Sequence, residues 1–227
     1  MTDSTPPDTP ALAYLHGFAS SAKSRKGVEL ARRLRERHDL ELETPDLNNP
    51  SFAELTFTGA LAAVDAMDAE RSRGRRWGLV GSSMGGYLAA RWAELHPERV
   101  AWLLLLCPGF ELGERWPDVF GAEAMRRWQE TGVMTIPDGA GRPTEVHWGL
   151  VEDAASHPPR PAAPCPTVII HGRADETVPI AISRRYAAEH PSVRLVELDD
   201  DHSLLASIDR IEQELIACLR GGASGAL

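Results

Sequence analysis

The sequence predicts an α/β fold: a parallel sheet of about six strands, helices on both of its faces, and a small capping insertion. Three observations predict it. Short apolar runs alternate along the chain with longer amphipathic segments. The runs are apolar at consecutive rather than alternate positions, as strands covered on both faces require. The alternation is interrupted once, between residues 109 and 164, by a stretch too long for a simple loop. Strands alternating with helices imply a parallel sheet joined by right-handed crossovers.

The elements follow in order. Residues 11–15 read as the first strand and 24–37 as a helix. Residues 40–44 are a weaker strand that stops at Pro45, and 53–72 are mostly helical, with Leu61, Val64 and Met67 near one face. A short strand at 77–80 leads into a helix over 83–96, in which Met84, Leu88, Trp92 and Leu95 recur at helical spacing. Residues 100–106 form a buried strand, 167–170 another, then 179–190 a helix and 193–198 a strand. The last helix, 203–219, carries Leu204, Ile208, Ile211, Leu215 and Leu219 on one stripe. This divides the chain into a core at 11–108 and 164–220, an insertion at 109–163, a disordered leader at 1–10 and a flexible tail at 221–227.

Within the insertion, 119–130 reads as a helix. Residues 133–136 and 144–148 can pair as a hairpin around the turn signal Pro137-Asp138-Gly139, and 150–156 as a second short helix. The segment is rich in large apolar residues. Placed between two core strands, it reads most simply as a cap over an apolar pocket, with Trp116, Trp128, Met134 and Trp148 as the substrate-facing candidates.

Composition narrows the function. At 43% hydrophobic and 25% charged, the 227-residue chain can build a core without disulfides or a structural metal. Its formal charge of −9 disfavours nucleic acid and anionic membrane surfaces as partners. The basic residues between Arg71 and Arg76 suit a solvated helix end. Cys107, Cys165 and Cys218 are scattered, which argues against a disulfide framework or a zinc site. The start of the chain is polar and Pro-rich rather than a signal peptide, and its longest apolar run, 100–107, is too short to span a bilayer. A cytoplasmic location is therefore expected.

Gly81-Ser82-Ser83-Met84-Gly85 matches G-x-S-x-G between a predicted strand and a predicted helix. That context marks a nucleophile elbow: the serine sits at a sharp turn with its hydroxyl presented, and small residues two before and two after let strand and helix pass closely. A Gly-rich turn that merely caps a helix is the bland alternative. Ser82 competes, but lies one residue early, so Ser83 is the candidate nucleophile.

A serine needs a base, and the base an orienting acid. His202 follows the last predicted strand, on the carboxyl side of the sheet where sites form in open α/β folds. His38, His96 and His190 sit at helix ends, His147 and His157 lie in the insertion, and His171 falls too early in the chain order. Asp175 lies in the loop after the strand at 167–170; its alternatives are an N-cap role, and Glu176 in its place. Asp199, Asp200 and Asp201 read as a solvated acidic loop. The order Ser83, Asp175, His202 completes a triad. The backbone N–H groups of Met84 and of Phe18, in His16-Gly17-Phe18 after the first strand, would form an oxyanion hole.

The chain resembles the α/β-hydrolase superfamily over nearly its whole length. The segment from Tyr14 to Ser24 and the run Gly81 to Tyr87 are similar to YqiA-type bacterial esterases. The stretch His171 to Pro179 and Asp201-His202-Ser203 resemble the acid and histidine loops of small esterases and thioesterases. Trp128 through Ala155 resembles the same region of the acyl-glucuronide esterase/palmitoyl-protein thioesterase group, whose mitochondrial location is not carried over, for want of a presequence. The resemblance implies an α/β-hydrolase fold beginning at its usual third strand. It also implies hydrolysis of small-molecule carboxylic esters or thioesters through an acyl-enzyme, with no cofactor and no metal. A non-catalytic binding protein on the same fold, perhydrolysis and peptidase activity are the rival readings; an intact triad speaks against the first.

Overall fold

The computed structural model describes residues 9–221. The leader and tail expected at 1–10 and 221–227 lie largely outside those residues. Five strands form the main sheet: β1 (Ala11–Leu15), β2 (Trp77–Ser82), β3 (Val100–Leu106), β6 (Thr167–Gly172) and β7 (Val193–Leu198), in the order β1-β2-β3-β6-β7. All four pairings are parallel. A separate antiparallel hairpin joins β4 (Val133–Pro137) to β5 (Pro143–His147).

The strand expected at 40–44 is corrected to a single bridge from Glu43 to Ala13 beside β1. Glu43 N–H donates to Leu12 O at 2.9 Å and Tyr14 N–H to Glu43 O at 2.8 Å. Two residues on, Pro45 has no N–H to continue the ladder, so pairing stops.

Alternate residues of the strands face opposite layers. Leu103, Leu105 and Ile169 pack with α2 (Phe57–Arg71), α3 (Met84–Leu95) and α7 (Ile180–Glu189), through Val64, Leu88, Trp92 and Tyr186. Leu104, Leu106 and Ile170 pack on the other side with α1 (Arg25–His38) and α8 (Ile208–Leu219), through Leu30, Leu34, Ile211 and Leu215. Each side buries a full apolar layer, worth roughly 25 cal/mol per Å² removed from water. Cys107, Cys165 and Cys218 are free and buried.

Side-chain caps set the helix starts. Ser24 accepts from Gly27 N–H ahead of α1, and Thr56 from Gly59 N–H ahead of α2, so α2 begins at Phe57 rather than at 53. The single helix expected at 119–130 is two: α4 (Leu112–Phe120) and α5 (Ala122–Thr131), broken at Gly121, where φ is +84°. The hairpin follows, then α6 (Gly149–Ala155). The insertion is tied to the core by Asp153 of α6, whose carboxylate accepts from Thr58 N–H at 3.0 Å and Thr58 Oγ1 at 2.6 Å, at the N-terminus of α2. No helix among the described residues is long and apolar enough to cross a membrane.

Candidate active site

Ser83 stands between β2 and α3 with φ 54° and ψ −122°, a strained conformation for a residue with a side chain. Its backbone is held on every side: Ser83 N–H donates to Leu106 O at 2.9 Å, and Ser83 O accepts from Gly86 and Gly109 N–H, both at 2.8 Å. The corner is possible because Gly81 and Gly85 lack side chains. A Cβ on Gly81 would stand 2.4 Å from Gly85 O, and one on Gly85 2.1 Å from Leu15 O. Ser83 is partly exposed, whereas Ser82 is buried as the last residue of β2.

The loop after β1 passes directly over this corner: a Cβ on Gly17 would lie 3.2 Å from Ser83 Cβ and 3.8 Å from its Oγ. His16 shapes that loop. Its Nε2 accepts from Leu47 N–H at 2.9 Å, so the proton sits on Nδ1, which donates to Gly17 O at 2.9 Å. With Nε2 an acceptor, its 3.2 Å approach to Asp46 Oδ1 is a contact between two acceptors. Pinning the Gly17 carbonyl aims the N–H of the same peptide plane, that of Phe18, the opposite way. The Met84 N–H opens α3 immediately after the serine and has no intrahelical acceptor.

Asp175 and His202 are brought together from separate loops. Asp175 Oδ2 lies 2.7 Å from His202 Nδ1, and Oδ1 accepts from Thr177 N–H at 2.9 Å and Val178 N–H at 2.8 Å. Its carboxylate is fully buried. Burial opposes its ionisation, but hydrogen bonds from His171, His202 and the Val178 N–H outweigh that and hold it well below the usual carboxylate range. Glu176 is exposed and takes no such position.

The residues before the histidine are more than a solvated acidic loop. Asp201 Oδ1 accepts from Ser203 N–H at 2.8 Å and Ser203 Oγ at 2.5 Å, and Ser207 Oγ donates to Asp200 Oδ2 at 2.7 Å. These bonds fold 203–207 into a turn, with Leu204 at φ 51°, so α8 starts at Ile208 instead of 203. Lys26 of α1 reaches the same turn, its Nζ donating to His202 O at 3.4 Å.

The groups that sequence reasoning missed are His171 and Cys107. His171 is in β6 rather than past it, completely buried, with Nδ1 2.8 Å from Ser183 Oγ and Nε2 2.9 Å from Val178 O and 3.2 Å from Asp175 Oδ2. Cys107 follows β3 with φ 43°, and burial pushes its thiol up. A histidine four residues before the acid was the available signal, and chain order had set it aside.

The four pocket candidates divide. Phe18 meets Trp116 at 5.5 Å between ring centroids and Phe52 at 5.4 Å, and Trp116 stacks on Phe120 at 5.7 Å. Phe120 meets Trp128, and Trp128 meets Trp148, each at 5.7 Å, so one aromatic row runs from the Gly17–Phe18 loop to the hairpin. Trp116 and Trp128 are buried, and Trp128 Nε1 donates to Val146 O at 2.8 Å. Met134 and Trp128 line a depression of about 380 Å³ beside α5 and β4.

A model of the uncharacterised protein family UPF0227 matches residues 11–219. Among curated proteins, none matches the chain. Solved structures agree on the α/β-hydrolase fold. A protein of Agrobacterium vitis S4 superposes with a TM-score of 0.77 at 22% identity, over 95% of this chain and 91% of the other. Est1E from Butyrivibrio proteoclasticus, with ferulic acid bound, gives 0.74 at 18% identity, over 99% and 94%. Mouse alpha/beta hydrolase domain-containing protein 10 gives 0.73 at 20% identity, over 96% and 92%.

Proposed function

We propose that this chain, which belongs to the UPF0227 family, is a serine hydrolase that cleaves carboxylic esters or thioesters through an acyl-enzyme. The observation that carries the reading is a strained, strand-to-helix serine together with an aspartate–histidine couple at 2.7 Å, its aspartate fully buried and its histidine partly exposed. With Nδ1 of His202 committed to Asp175, Nε2 is the nitrogen left to exchange a proton with Ser83.

In this mechanism Ser83 Oγ attacks the acyl carbon as His202 takes its proton, and the ionised Asp175 stabilises the imidazolium. The negative charge passes to the acyl oxygen, which the N–H groups of Phe18 and Met84 receive; each such donor is worth about 10²–10³ in rate. The imidazolium then protonates the departing alcohol or thiol. Water, deprotonated by His202, attacks the acyl-enzyme and releases the acid, returning the proton to Ser83. The aromatic row beginning at Phe18 favours an apolar acyl group beside the site.

A fluorophosphonate probe tests the reading. It is expected to label the protein and to leave a folded Ser83→Ala variant unlabelled. A panel of p-nitrophenyl and acyl-thioester substrates, with an aryl acyl group included because Est1E binds ferulic acid, then chooses between ester and thioester. A folded protein that resists the probe overturns the assignment.

A further inference from the structure

We propose that His171 is a positioning residue for the catalytic acid, a second imidazole that clamps the Asp175 carboxylate in the orientation His202 needs. The inference rests on the triad reading above and extends it to a residue outside the triad.

The protonation of His171 follows from its neighbours. Nε2 faces two acceptors, Val178 O at 2.9 Å and Asp175 Oδ2 at 3.2 Å, so this nitrogen carries the hydrogen. Nδ1 is then a lone pair, and Ser183 Oγ, at 2.8 Å, donates to it. A neutral imidazole meets both demands, which suits a ring with no exposure to solvent. The result is a directed chain from the Ser183 hydroxyl on α7, through His171 on β6, to Val178 O in the acid's loop, with the same Nε2 edge 3.2 Å from the oxygen of Asp175 that also binds His202.

A carboxylate offers about four acceptor positions. At Asp175 three are filled by Thr177 N–H, Val178 N–H and His202 Nδ1, and the Nε2 edge of His171 stands 3.2 Å from Oδ2. The two amides belong to the acid's own loop and travel with it. His171 is anchored in the sheet, and its bond to Val178 O ties that loop to β6. It is therefore the contact that sets the carboxylate against the body of the molecule, while His202 arrives from the loop after β7. Without it the plane of the carboxylate is free to turn, and the 2.7 Å bond to His202 loosens.

The same region holds Cys107, whose sulfur lies within 4.8 Å of the ligand atoms of His171 and Asp175. Burial favours the protonated thiol, and the hydrogen on His171 Nε2 points at Val178 O. The other charged groups facing the couple are Lys26 from α1 and Asp200 and Asp201 from the loop after β7. None is altered by the substitutions below.

The test compares His171→Leu, His171→Gln and Ser183→Ala with the wild type. Hydrolysis of an activated ester gives kcat and KM separately across pH. Proton NMR follows the hydrogen between His202 Nδ1 and Asp175, which needs no turnover. His171→Leu is expected to lower kcat about 10–100-fold, as loss of an outer orienting partner does at metal-bound histidines, with KM within about twofold by the same argument. The acid limb of kcat/KM moves to lower pH, because a misaligned carboxylate stabilises the imidazolium less, and the NMR signal weakens. His171→Gln, whose amide N–H reproduces the Nε2 donor, restores most of the loss. Ser183→Ala, the milder change should the leucine variant not fold, moves each readout part of the way.

An unchanged kcat and acid limb, an upward shift of that limb, or a loss that glutamine does not restore would overturn the proposal while leaving the triad standing. A wild type that neither labels nor turns over sinks the triad reading instead. An NMR signal that survives unchanged in His171→Leu would then overturn the clamp on its own.

Discussion

Asp175 is the proposed catalytic acid, and its surroundings suit that role. Its carboxylate is stripped of water, yet three hydrogen-bond donors and the Nε2 edge of His171 keep its charge in place. Because its folded pKa is depressed, it stays ionised well below neutral pH. The sign for stability is equally definite. The contribution is complete above the unfolded value near about 3.9 and is lost as pH falls through the lower, folded one. Asp175→Asn should therefore cut kcat severely, by about 10⁴ on the precedent of another triad. It should also abolish this acid-labile part of the stability, read by urea titration at pH 7 and at a pH below the unfolded value. Glu176→Gln should do neither; if it did, the acid would be misassigned. At this scale the residue types of the triad were legible, since a motif, a chain order and two strand ends specify them. The roles of His171 and His16 were not. Each depends on which nitrogen meets which partner across a gap of up to 31 residues, and no local pattern encodes that.

The elements show where local physics suffices. The strand–turn–helix around Ser83 could be read because glycines at fixed offsets have one explanation, the close passage of two backbones. Gly85→Ala would place a Cβ 2.1 Å from Leu15 O and 2.5 Å from His16 O, both backbone atoms that cannot step aside. That substitution should cost about 3 kcal/mol, as overpacking does, and abolish probe labelling by pushing α3 off β1. Denaturant midpoints and labelling check it, and a variant that keeps both would remove the close-packing argument. Where the reading failed, two effects were in competition. Residues 119–130 have helical periodicity, but Gly121 at positive φ breaks the helix and turns its second half towards the hairpin. Residues 203–207 carry apolar spacing that continues α8, but the Asp201 side chain captures the Ser203 N–H, Asp200 takes the Ser207 hydroxyl, and the chain after His202 turns instead.

Across the molecule, stability and site share one sheet. Leu105 is fully buried in β3, the central strand, between β2, which leads into Ser83, and β6, which carries His171. Leu105→Ala should cost about 3 kcal/mol, as core truncations do, seen as a lower urea midpoint in tryptophan fluorescence. A change below about 1 kcal/mol would count against a packed centre there. The sequence by itself determined the α/β class, the parallel strands and the long segment between β3 and β6, and it proposed the order Ser83, Asp175, His202, because period, apolar run length and glycine spacing act over a few residues. Only the tertiary structure decided that β1 has a bridge where a further strand was expected, and that an aromatic row links Phe18 to the hairpin. It alone decided, too, that Glu212 draws Arg33, Arg37 and His38 of α1 onto α8, and that a second imidazole stands 3.2 Å from the Asp175 carboxylate. These are contacts between residues far apart in the chain. They exist only once burial has fixed the layers, and in a dry interior the geometry of partners decides which polar groups can be accommodated.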